Sequence, residues 1–270
     1  MLAMVDYSGM HMGPRPCLRD ARERLRQLRF EHFEALPVGG VLGAEIRGLD
    51  LGHDIAPEVV KELRSALVEY KVIFFRDQHI DSVQQAKVAA HFGELEEHPF
   101  LPGVEGQPEV INFAKDENVV GVENAWHSDV SWRLVPSLGS LLRAIEVPAN
   151  AGDTLWADME LAYEGLPDDL KASIDGRFAI HDFAHSFGQM LSAEDLEAKR
   201  AEFPPARHPV VRTHPDTGRK CIYVNRIFTS HIEGTEFAES QAILERLYAQ
   251  PASPSTRSAS AGPRQPRLLG

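Results

Sequence analysis

From Glu109 to Asp182 the chain divides its apolar residues into short runs, Glu109–Phe113, Ser128–Trp132, Leu138–Glu146, Thr154–Ala157 and Phe178–Asp182, separated by Gly, Pro and Asn clusters. Runs this short, punctuated by turn-forming residues, predict strands. A mostly β core with helical insertions, an α+β chain, is the consequence. Helical spacing marks the insertions: Ala56–Tyr70 (through Val60, Leu63 and Leu67), Asp81–Phe92, Glu164–Ile174, Ala193–Glu202 and Ala238–Tyr248. Val72–Phe75 reads as one more strand, and Pro215–Gly218 as a hairpin turn between Val210–Thr213 and Cys221–Val224. No internal repeat is visible, which excludes solenoids and propellers.

A chain of 270 residues, 43% of them hydrophobic, can bury one substantial core. The net charge of -12 offers no basic footprint for nucleic acid or an anionic membrane surface, so a small-molecule substrate is the expected partner. A homo-oligomer is left open. Cys17 and Cys221 are too few and too far apart for a disulfide framework, which points to a cytoplasmic protein. No uncharged stretch approaches the ~18 residues of a membrane span.

Three segments differ in composition. Residues 1–30, rich in Met and Arg, read as an N-terminal extension, a helical arm given the spacing of Leu18, Leu25 and Leu28. Residues 31–250 read as the globular domain. Residues 251–270 hold four Pro, four Ser, three Arg and no acidic residue, unlike the acidic body, and read as a tail outside the core.

The chemistry is carried by Trp126-His127-Ser128-Asp129-Val130, a His-x-Asp on an expected strand-and-turn segment. Side chains two positions apart can reach one ion. With a distant second His they would form the 2-His-1-carboxylate arrangement that holds Fe(II) on one face and leaves other positions open. The pair alone also occurs by chance, as a surface or hydrogen-bonded histidine.

Downstream stands Gly152-Asp153-Thr154-Leu155-Trp156, and further matches are Val72–Gln78, Phe92–Leu95, His98-Pro99, Ala162-Tyr163 and His208–Pro215. Over about 38–249 the chain resembles the taurine dioxygenase (TauD/TfdA) family of Fe(II)/2-oxoglutarate-dependent dioxygenases. The resemblance implies a double-stranded β-helix, a cupin-like jelly roll, with His127 and Asp129 as metal ligands and Thr154 holding 2-oxoglutarate. It implies consumption of 2-oxoglutarate and O2 to hydroxylate a small organic acid, taurine or a related sulfonate, with release of sulfite in sulfur metabolism. His98, Val130, Trp132, Ser186 and Phe187 are the implied substrate residues, although Val130, Trp132 and Phe187 could equally be core. Leu101 stands where taurine enzymes carry a tyrosine, which opens the reading to another sulfonate, an alkyl sulfate or a carboxylate. His181, His185, His208, His214 and His231 match no ligand context and read as surface or hydrogen-bonded residues. Arg212 and Arg226 read as structural or solvated.

The family's second iron-binding His and its 2-oxoglutarate Arg follow a segment resembling Pro-Glu-Tyr/Phe-Gln-Val-Arg-x-x-Trp, which this chain lacks. Residues 253–263 can nevertheless be written in synonymous codons that, read one base earlier, give Glu-Pro-Glu-Tyr-Gln-Val-Arg-Phe-Arg-Trp-Ala. A frameshift near Gln250 is therefore expected, with the C-terminal strands, the distal His and the distal Arg missing. Such a chain would bind iron weakly and be poorly folded or inactive; the alternative to an enzyme is an inactive jelly-roll remnant or binding protein.

Overall fold

The computed structural model describes residues 16–114, 125–147, 154–252 and 257–259. In chain order they form α1 (Pro16–Gln27), β1 (Glu34–Pro37), β2 (Ala44–Arg47), α2 (Pro57–Tyr70), β3 (Ile73–Phe75), α3 (Ser82–Ala90), β4 (Gly103–Val104), β5 (Gln107–Ile111), β6 (Leu155–Ala157), α4 (Met159–Glu164), α5 (Asp168–Ile174), β7 (Phe178–His181), α6 (Ala184–Phe187), α7 (Ala193–Glu202), β8 (Ala206–Pro209), β9 (Val211–Thr213), β10 (Lys220–Ile222), β11 (Thr229–Ile232), α8 (Phe237–Tyr248) and β12 (Arg257–Ala259). Helical residues outnumber strand residues among them, so a mixed α and β chain replaces the mostly β expectation. The described strands form small sheets, ordered β1-β2-β3, β4-β5, β11-β7-β8, β9-β10 and β6-β12.

Pro57 opens α2 with its φ already helical, and Lys71 closes it in the left-handed region at φ 66°. The buried stripe is Val59, Leu63, Ala66 and Tyr70, displaced from the expected Val60-Leu63-Leu67 line. That stripe covers the sheet β1-β2-β3, whose inward residues are Ala44 and Ile46. Helix α1 packs on the same body through Leu25, its Ala21 lies with Val41 and Leu161, and Arg24 reaches Glu69 of α2 at 2.9 Å. From residue 16 onward, the N-terminal arm is thus part of the folded body.

A second core lies between α5, α8 and the strands β7, β10 and β11, with Leu170, Ile174, Ile222, Ile232, Leu244 and Leu247 almost fully buried. The turn at Pro215–Gly218 joins β9 to β10 as the spacing predicts, with Gly218 at φ 68°. Helix α3 begins on a reciprocal cap: Asp81 accepts from the Gln84 amide and the Gln84 side chain accepts from the Asp81 amide.

Two expected strands are absent. Ser128–Trp132 is a turn, closed by the Arg133 amide donating to the Val130 carbonyl at 2.9 Å. Residues 138–146 have no strand pairing, and Leu138, Leu142 and Ile145 are exposed together with Leu134 and Val135. A short apolar run there did not translate into a ladder, because a strand also requires a partner edge. In the tail, Arg257–Ala259 pairs antiparallel with Leu155–Ala157. Among the described residues, no helix is long and apolar enough to cross a membrane.

Candidate metal centre

The turn after Trp126 brings the His-x-Asp pair together: His127 Nε2 lies 3.2 Å from Asp129 Oδ1, with the side chains 34% and 62% exposed. His127 Nδ1 lies 2.9 Å from the Ala125 carbonyl, a contact in which Nδ1–H donates. That leaves Nε2 facing the carboxylate, to which it donates when protonated and beside which it is free to ligate a cation when it is not. A backbone carbonyl behind the imidazole is the usual support of a metal-binding histidine. The Asp129 carboxyl is held below the ordinary carboxylate range, chiefly by the hydrogen bond with His127, while burial opposes the shift. Ser140 Oγ donates to its other oxygen at 3.2 Å. Asp129 is therefore ionised near neutral pH.

The backbone sets this geometry. Val130 sits at φ 46°, a strained conformation for a β-branched residue, and it turns the chain so that Asp129 faces solvent while Val130, Ser131 and Trp132 are buried. Behind them Phe183 and Phe228 complete a buried cluster, lined by Phe100, Phe187 and Phe203. Phe100 stacks on Phe187 at 4.8 Å and on Phe183 at 4.9 Å.

The expected substrate residues divide. His98 and Phe187 are half-buried at the edge of the cluster, with ring centroids 5.4 Å apart, and Ser186 is half-buried beside Phe187 on α6. Val130 and Trp132, at 8% and 1% exposure, are core residues supporting that wall from behind. His98 Nδ1 accepts from the Phe100 amide at 3.2 Å, so its proton resides on Nε2. Burial pushes its pKa down, so His98 offers a neutral donor instead of a cation. Thr154 is exposed at the residue preceding β6.

The other histidines are resolved into distinct roles. His181 is fully buried and His208 nearly so; neither is a surface residue. His185 is exposed, His214 accepts from the Asp216 amide within the β9–β10 turn, and His231 pairs with Ser230. Arg226 makes a two-pronged pair with Glu245 at 2.7 and 2.6 Å, and Arg212 lies over Tyr223. A cavity of about 180 Å³ is lined by Ala125, Trp126, Val224, Asn225, Arg226, Tyr248 and Pro251. Among the described residues, no group of three His, Cys, Asp or Glu converges as a metal site.

The residues missed in the sequence are Ser131 and Asn225, whose side chains meet at 2.9 Å beneath the turn. They are 94 positions apart, and no local pattern announces such a contact.

The sequence profile of the taurine catabolism dioxygenase TauD, TfdA family matches residues 33–256. An alpha-ketoglutarate-dependent sulfate ester dioxygenase of Pseudomonas putida is 35% identical over 219 residues, 78% of this chain and 72% of the relative. An alkylsulfatase of Acinetobacter baylyi is 34% identical over 77% of this chain and 67% of its own. The crystal structure of a taurine dioxygenase from Burkholderia xenovorans superposes with a TM-score of 0.71 at 32% identity, covering 85% of this chain and 76% of that one. These relatives are enzymes, so the inactive alternative gains no support. With the family profile spanning most of its length and relatives this similar, the chain belongs to the TauD/TfdA family of dioxygenases, oxidoreductases that work with Fe(II), 2-oxoglutarate and O2.

Proposed function

We propose that the chain hydroxylates the carbon carrying an anionic sulfur group, with an alkyl sulfate favoured over taurine, and that His127 and Asp129 hold the iron. The carrying observation is the juxtaposition of an imidazole nitrogen and an ionised carboxylate 3.2 Å apart on a solvent-accessible turn. That donor set suits a borderline divalent cation. The third protein donor is not among the described residues. The jelly roll is part of the same reading: β6, β7, β8, β9, β10 and β11 would be its strands, and the likeness to the Burkholderia enzyme supports this. A cytoplasmic place of work also belongs to it, supported by the sparse cysteines.

When bound, Fe(II) would supply the activation of O2 at the cost of decarboxylating 2-oxoglutarate to succinate. The chain's own residues do the rest. Ionised Asp129 and His127 Nε2 would hold the cation, with the Ala125 carbonyl fixing the proton on Nδ1. Thr154 would donate to 2-oxoglutarate. Neutral His98 would donate Nε2–H to the sulfate oxygens, and Phe187, backed by Phe100 and Trp132, would exclude water from the alkyl chain. A hydroxyl placed on the carbon bearing the sulfate ester collapses to an aldehyde with expulsion of sulfate, so C–O cleavage follows from oxygen insertion. The similarity to a sulfate ester dioxygenase and the leucine at position 101 favour this substrate over taurine.

The test supplies the purified chain with saturating Fe(II), 2-oxoglutarate and either hexyl sulfate or taurine, and measures succinate and inorganic sulfate or sulfite. Sulfate release matching succinate, and lost in His127→Ala, is the expected result. Succinate formation indifferent to both substrates would overturn the substrate assignment, and indifference to His127→Ala would overturn the metal assignment.

A further inference from the structure

The Asp129 turn is fastened from below by polar groups that the proposed chemistry does not use. Ser131 is fully buried, with its Oγ 2.9 Å from Asn225 Nδ2 and 3.0 Å from His181 Nδ1. His181 Nε2 lies 3.3 Å from Thr229 Oγ1, which in turn accepts from the Asn225 amide at 2.9 Å. One proton arrangement satisfies these groups. Asn225 donates to Ser131 Oγ, Ser131 donates to His181 Nδ1, and His181 donates from Nε2 to Thr229.

The anchors are themselves held. Asn225 Oδ1 accepts from the amides of Ile227 and Phe228, at 3.1 and 2.9 Å, and so is fixed before it reaches Ser131. The far end of the turn is tied as well: His208 Nε2 donates to the Arg133 carbonyl at 2.8 Å. The turn is therefore pinned at residues 131 and 133 to β7, β8 and the loop before β11. The residue before the pins, Val130, holds a backbone conformation that a valine would leave if released.

We propose that Ser131, Asn225, His181 and His208 are positioning residues that hold the strained turn so that the Asp129 carboxylate meets His127. This rests on the reading of His127 and Asp129 as metal ligands. The proposed reading gives none of the four a bond to the metal or the substrate; they act through the backbone between residues 129 and 133. A turn freed from them relaxes at Val130, and Asp129 swings away from the imidazole.

The test is Mn(II) affinity, read from the electron paramagnetic resonance signal of the free ion, for the full chain and three variants, alongside melting temperature. Ser131→Ala removes the hydroxyl to which Asn225 and His181 are tied. Asn225→Asp keeps an oxygen for the Ile227 and Phe228 amides and puts an acceptor with a negative charge where the donor to Ser131 stood, so it decides the matter should Ser131→Ala fail to fold. Leu244→Ala, in the separate core beside α8, is a destabilised control. Ser131→Ala and Asn225→Asp are expected to weaken Mn(II) binding about ten- to a hundredfold, the range for outer-shell groups of metal sites, with Leu244→Ala binding as the unaltered chain does. Lowered melting with unchanged Mn(II) affinity in both turn variants would overturn the proposal and leave the metal reading standing. Failure of the unaltered chain to bind Mn(II), or binding indifferent to His127→Ala, would remove the metal reading and this proposal with it.

Discussion

His181 makes the stability of this fold pH-dependent in a way that can be isolated. Burial, with repulsion from His208 added, pushes its pKa from an ordinary 6.5 to about 3. The unfolded chain takes up a proton near pH 6.5 that the folded chain refuses until near pH 3. The stabilising contribution is thus complete above pH 6.5 and is lost as the pH falls towards 3, at about 1.4 kcal/mol per pH unit. Between pH 7 and pH 5 the loss from this one imidazole is about 2 kcal/mol. Urea unfolding of the unaltered chain and of His181→Asn at both pH values measures it, since His98 and His208 remain in each. The variant starts less stable at pH 7 but is expected to lose about 2 kcal/mol less on acidification. Equal losses would show that His181 is protonated inside the fold, and would refute the claim that burial governs its charge.

Lys71 Nζ lies 3.1 Å from both Asp158 Oδ2 and Glu160 Oε2, two buried carboxylates. Lys71→Met is expected to cost about 3 kcal/mol in urea unfolding, because it leaves Asp158 buried without its cation; no measurable loss would mean that water reaches the pair. Asp81→Ala removes the cap of α3 and is expected to cost about 1 kcal/mol, read from the same transition. Trp132→Ala empties the centre of the aromatic cluster and is expected to cost about 3 to 5 kcal/mol, with loss of near-ultraviolet circular dichroism as an independent sign.

Much of the helical frame was legible because periodicity and caps are local. Ala193–Glu202 was recovered at both ends, and Asp81 announced α3. The stripe of α2 came out rotated, because Val59 and Val60 are equally apolar and only the sheet beneath decides which one faces it. The strands at Ser128–Trp132 and Leu138–Glu146 failed for a different reason: a strand is a relation between two segments, and composition describes only one of them. That the side chains of His127 and Asp129 could come within reach of each other was legible in their spacing. Ser131 could not, since its significance lies in an asparagine far along the chain. His181 and His208 were visible as letters but not as buried groups, because burial of a histidine depends on what the fold stacks around it.

Val130 is subject to two opposing demands. Its backbone lies where glycine would rest without penalty, yet its side chain helps to close the aromatic cluster. A glycine at this position would relax the main chain and open a gap in the hydrophobic packing, while a larger residue would fill the space and deepen the torsional penalty. The residue tolerated at position 130 in functional variants would therefore show which matters more to the enzyme, a comfortable backbone or a closed wall.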